Sequence, residues 1–139
     1  MCAVQVALSI RDLSGTPGAG RVVFANHGNE SIRVWRAGNQ WGDSALWFEW
    51  SLPPTIARVS HSLECYTRNV PSSVSVPAGA SHTWQFDFGD GKWQTEVPFD
   101  VMAGLDARLV AVYEVRECPE ARDSGVWTGS VRSDPARWQ

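Results

Sequence analysis

Chemistry in this chain would begin with its histidines, cysteines and carboxylates. His27, His61 and His82 stand in the contexts Asn26-His27-Gly28, Ser60-His61-Ser62 and Ser81-His82-Thr83. None of the spacings HxH, HExxH or HxxxH occurs, so no pair is placed to start a tetrahedral zinc site. They read as ordinary surface or strand histidines. A hydrolase built on a nucleophile elbow needs GxSxG, which is absent. His61 and Cys65 are four apart, which on a strand sets both side chains on one face. Nothing flanking them would lower the thiol pKa, so Cys65 reads as a buried structural cysteine. Cys2, Cys65 and Cys118 are widely spaced and odd in number, without CxxC. That usage suits a reducing compartment better than a disulfide scaffold, the alternative being one bridge and one free thiol.

The carboxylates are no more decisive. Asp87, Asp90 and Asp100, with Asp43 in another loop, could gather around calcium, but the DxDxDG pattern is absent. Asp90 between Gly89 and Gly91 is explained by its turn alone. Glu114 and Glu117 are three apart, so on a strand they point to opposite faces and make no acid–base pair. No catalytic residue, metal or cofactor is expected, and the chain reads as a non-enzyme.

The elements that must position these residues are strands. Val4, Val6, Leu8 and Ile10 alternate with polar or small residues, as do Leu46, Phe48 and Trp50 with Trp47 and Glu49. His82, Trp84, Phe86 and Phe88 continue the pattern, followed by Ala107, Leu109, Ala111, Tyr113 and Val115. Shorter strands are expected at Arg21–Ala25, Ser31–Arg36, Val74–Val76, Lys92–Val97 and Val126–Arg132. The turn Gly89-Asp90-Gly91 predicts a hairpin between the flanking strands. Ile56–Thr67 reads as one longer strand or two shorter ones, and Cys118–Gly125 as a loop with room for a helical turn. No amphipathic helix of ~11 residues or more is visible. Eight or nine strands with Gly and Pro turns predict an all-β, antiparallel sandwich. Leu8, Phe86, Leu109 and Tyr113 are the expected core.

The 139 residues suit a single domain, 1–139, with 133–139 as a tail. Twelve basic against fifteen acidic residues give a net charge of −3, which argues against a nucleic-acid partner. No apolar run approaches the ~18–20 residues of a membrane span, so no membrane insertion is expected. The opening MCAVQVALSIRD has no basic stretch, long apolar stretch or cleavage site, which sets the expectation of a cytoplasmic protein. Lys92 is the only lysine, and tryptophan occurs eight times.

The turn VPAGAS, the strand HTWQFDF, a hairpin and LDARLVAVYEV, from Val76 to Val115, resemble the second half of bacterial immunoglobulin-like modules. The arrangement is also similar to the intracellular proteinase inhibitors of bacilli, which are small sandwiches. Phe86 to Gly91 (FDFGDG) resembles the WDFGDG signature of PKD-type repeats, although the tryptophan stands two residues early, at Trp84. These resemblances imply a fold and no catalytic residue.

Two functions remain open. One is a protein-interaction module, an inhibitor or an immunity-type protein of a bacterium. The other is a carbohydrate-binding module in which Trp41, Trp47, Trp93 or Trp127 stacks on sugar rings. If Ile32, Val34, Leu46 and Phe48 face the core and the two strands pair, Arg33, Trp35, Trp47 and Glu49 share an outer face, with Trp41 in the loop beside it. Arginine and tryptophan together are the composition of an interface hot spot. The competing reading is that residues 52–70 cover this face and make it a second core.

Overall fold

Alternation produces the expected strands, and burial of their apolar faces decides how they stack. The computed structural model describes residues 5–63, 66 and 68–138, so Cys2, Val4 and Cys65 lie outside the described residues. In chain order the elements are β1 (Val6–Ser14), β2 (Ala19–Asn26), β3 (Ile32–Trp35), α1 (Gln40–Ala45), β4 (Leu46–Leu52), β5 (Thr55–His61) and β6 (Ser73–Val76). There follow β7 (Ser81–Asp87), β8 (Trp93–Thr95), α2 (Phe99–Gly104), β9 (Arg108–Val115), α3 (Pro119–Ser124) and β10 (Gly129–Arg132). Strand pairing is antiparallel throughout these elements. One sheet has the order β1-β2-β7, a second β10-β9-β4-β5-β8, and β3 pairs with β6 in a two-stranded ladder.

The two larger sheets form a sandwich. Phe24 of β2 and Phe86 of β7 lie on the inner face of the first, Phe48 of β4 and Tyr113 of β9 on that of the second. Phe48 sits 4.8 Å from Phe86, and Phe24 5.5 Å from Tyr113, ring centre to ring centre. Trp84 stacks on Tyr113 at 4.8 Å. Leu8, Phe86, Leu109 and Tyr113 are all buried, as expected. Each such side chain contributes roughly 1.5–3 kcal/mol by leaving water.

The three helices have six residues each, far too short to persist alone, and buried Ala45, Met102 and Ala121 tie them to the core. Asn39 caps α1 by accepting the Gly42 N–H at 2.9 Å. The chain packs so closely here that a Cβ on Gly42 would stand 1.8 Å from the Arg36 carbonyl oxygen.

Several expectations are corrected. β7 and β8 form no hairpin: β7 pairs with β2 and β8 with β5, so Gly89-Asp90-Gly91 carries the chain from one sheet to the other. That crossing lets Trp93 enter the core, 5.3 Å from Phe48 and 5.6 Å from Phe88. β3 does not pair with β4, because both edges of β4 are taken, by β5 and β9. The loop expected to hold Trp41 contains α1. Ten strands form among the described residues, where eight or nine were expected. The segment expected as a tail lies along the sandwich. Ala136 exchanges two backbone hydrogen bonds of 2.8 Å with Leu109, and the Trp138 indole N–H donates to the Pro17 carbonyl at 3.3 Å.

Candidate functional site

Three indoles converge where β3, α1 and β4 follow one another in the chain. Trp35 ends β3, Trp41 lies in the first turn of α1, and Trp47 is the second residue of β4. All three line one open pocket of about 290 Å³, whose wall is completed by Arg58 of β5, Glu114 at the end of β9, Arg116 and Cys118. Cys118 is a free thiol, and its Sγ accepts the Ala121 N–H at 3.4 Å, which caps α3.

Alternation places Trp47 on the outer face of the five-stranded sheet, since Leu46, Phe48 and Trp50 are buried on the other face. The Arg58 guanidinium carbon stands 3.9 Å above the Trp47 ring centre, a cation–π stack across the β4–β5 ladder. Trp41 is half-buried, with its ring 6.4 Å from that of Trp35.

Of the five residues expected to form a binding face, Trp35, Trp41 and Trp47 share the pocket, but Arg33 and Glu49 do not line it. Trp35 is also not an outward residue. It is 2% exposed, its backbone N–H donates to the Tyr113 hydroxyl at 3.0 Å, and its carbonyl accepts the Trp84 indole N–H at 3.2 Å. Val34 is buried as well, so alternation fails at the last residue of this short strand. Trp35 is core, and the pocket opens over it. Arg33 is spent on the β3–β6 ladder, donating to the Ser73 hydroxyl at 3.0 Å. Glu49 accepts from Arg132, an ion pair that joins β4 to β10, and holds that guanidinium pKa up.

Arg58, Glu114 and Arg116 were missed as site residues. Their position depends on strand register: Arg58 is opposite Glu49 in the β4–β5 ladder, which no local pattern states. Glu114 was weighed only against Glu117. Glu117 instead lies 3.6 Å from Arg122 at an exposed surface.

The other candidate groups serve the fold. Asp43 is buried at the base of α1, accepting the Gly38 N–H at 2.9 Å and the Tyr66 hydroxyl at 2.8 Å. His61 Nδ1 is 3.8 Å from an Asp43 oxygen and 2.9 Å from the Ser62 carbonyl oxygen, with its ring edge-on to Trp93. His82 packs edge-on against Trp84, and its pKa is lowered by burial and then by Arg36. Asp87 and Asp90 each accept a backbone N–H two residues on, and Asp100 accepts from Val101. Among the described residues no three His, Cys, Asp or Glu side chains gather as metal ligands would. Trp93 and Trp127, the other expected sugar-stacking residues, are half-buried against core rings: Trp93 on Phe48, Trp127 stacked at 6.0 Å on Tyr113.

Comparison with protein-family models, with curated proteins and with solved structures finds no match to this chain.

Proposed function

We propose that this protein is a non-catalytic interaction module of the inhibitor or immunity type, which seats one side chain of a partner protein in the Trp35–Trp41–Trp47 pocket. The observation that carries the reading is the convergence of three indoles, from three elements, on one open pocket. Its volume of about 290 Å³ falls just below the ~300–1,000 Å³ usual for small-molecule sites, which suits a single side chain. Tryptophan and arginine are the residues that dominate interface energetics, and the buried Trp35 gives the pocket a rigid floor. The immunoglobulin-like plan, the resemblance to bacterial proteinase inhibitors and the cytoplasmic setting inferred from cysteine usage belong to the same proposal.

A second reading has its own support. Half-buried indoles beside arginine and glutamate side chains also suit a sugar ring, which needs an apolar face and polar rim contacts. One experiment separates the two. Wild type and a Trp41→Ala/Trp47→Ala variant are used as baits in a pull-down with mass-spectrometric identification and are applied in parallel to a glycan array. Under the protein reading, a specific protein is retained by wild type and lost with the variant, and the array stays blank. Glycan binding that depends on the same two rings would replace it with the carbohydrate reading.

A further inference from the structure

The pocket's charged groups narrow the partner's chemistry, in an inference that rests on the protein-binding reading above. Carboxylates outnumber basic residues in this chain, fifteen to twelve, and most arginines have found partners. Arg21 pairs with Asp12, Arg108 with Asp106, Arg122 with Glu117 and Arg132 with Glu49, while Arg33 and Arg36 donate to Ser73. Arg58 and Arg116 have no hydrogen bond or ion pair among the described residues, and both line the indole pocket. Arg58 is nevertheless held, because its guanidinium lies 3.9 Å over the Trp47 ring. Stacking occupies a face of the guanidinium and leaves its N–H edges free, the geometry that receives a carboxylate through two parallel hydrogen bonds. Against these two cations the pocket wall has one carboxylate, Glu114.

We infer that the partner presents an acidic segment, in which a large apolar side chain enters the pocket and a neighbouring Asp or Glu carboxylate is clamped by Arg58. Arg116 adds attraction at the rim. The stacked arginine makes the Trp47 face a poor site for a cationic side chain, since the cation–π position is already filled.

The test uses capped tripeptides as probes: aspartate–phenylalanine–aspartate, lysine–phenylalanine–lysine and aspartate–alanine–aspartate. They are titrated into the ¹⁵N-labelled full chain while the indole N–H signals of Trp41 and Trp47 are followed. The acidic phenylalanine peptide should shift both signals and bind about tenfold or more tighter than the basic one, the factor expected of one charge-assisted hydrogen bond. That advantage should shrink as salt rises. Arg58→Met should remove most of it, leaving the share that Arg116 supplies, and Arg58→Lys, which keeps charge but not the planar fork, should restore only part of it. Because the Arg58 stack on Trp47 is exposed, its loss in Arg58→Met should lower the urea midpoint by no more than ~0.5 M, and Arg58→Lys by less. Equal or tighter binding of the basic peptide would overturn the acidic assignment, an advantage that survives Arg58→Met in full would overturn the Arg58 clamp, and either result would leave the pocket reading standing. If neither phenylalanine peptide moves an indole signal, the pocket reading itself fails. The alanine peptide binding as well as its phenylalanine counterpart would overturn the seated side chain.

Discussion

Trp35→Ala and Trp47→Ala make the sharpest comparison, because the two indoles line one pocket from opposite sides of the core boundary. Trp35 is 2% exposed, so truncation removes nearly all of its burial. At ~150–200 Å² of lost apolar area and ~25 cal/mol per Å², the transfer loss is about 4–5 kcal/mol. The void left behind opens into the existing pocket instead of being sealed, so water and the Trp41 ring can enter it. The cavity penalty is therefore small, and the total stays at about 4–5 kcal/mol, the upper part of the range of ~3–5 for buried Trp→Ala changes. The Trp35 backbone N–H keeps its bond to the Tyr113 hydroxyl, so no further cost arises there. Trp47 is half-buried on the outer face, and removing it forfeits roughly half that area, about 2 kcal/mol, and the exposed Arg58 stack, ~0.5–1 kcal/mol, or about 2.5–3 kcal/mol together. Equilibrium urea unfolding reads both. With a slope of ~2 kcal/mol/M, Trp35→Ala should lower the midpoint by about 2–2.5 M and Trp47→Ala by only ~1.3–1.5 M. A Trp35→Ala variant within ~1 kcal/mol of wild type would refute its place in the core, given the cost of emptying a buried site. A Trp47→Ala loss equal to that of Trp35→Ala would mean the outer face is covered.

Tyr113→Phe should cost about 1–3 kcal/mol in the same assay, because the buried Trp35 N–H loses its acceptor without gaining water. Gly42→Ala should destabilise by ~1–3 kcal/mol or more, since its Cβ meets backbone that no rotamer change can clear. The Trp41 indole signal should shift with it as α1 is pushed outward. His82 has a folded pKa below its ordinary 6.5, so the unfolded chain takes up the proton first. Its stabilising effect is therefore full above pH 6.5 and is lost as pH falls from there through the folded value. His82→Gln should accordingly show a shallower decline in urea midpoint between neutral and mildly acidic pH than wild type. A steeper decline would contradict burial as the cause.

Most of the strands were legible because a two-sided strand must alternate, and the period survives any arrangement of sheets. Leu8, Phe86, Leu109 and Tyr113 were named as core on that ground and are buried. Sheet membership was not legible. The glycines around Asp90 suit a hairpin and a sheet-to-sheet crossing equally, and the pairing of β8 with β5 decides for the crossing. Residues 133–138 show little apolar period, yet Ser133 and Ala136 continue the ladder beside β9.

The candidate site divides in the same way. Composition and spacing singled out Trp35, Trp41 and Trp47 as a group, and they do line one pocket, but not as neighbours on one sheet face. A helix initiates at Asn39 between two of them, and β3 finds its partner in β6, 40 residues along the chain from Arg33 to Ser73. Arg58 reaches the pocket from the next strand, β5, while Glu114 of β9 and Arg116 just beyond its end come from far along the chain. Side-chain type and strand period are local properties, so the chain's order of residues determines them. Register, burial at a strand's end and the pairing of charges depend on which edges are already occupied, and that is decided only when the sheets assemble.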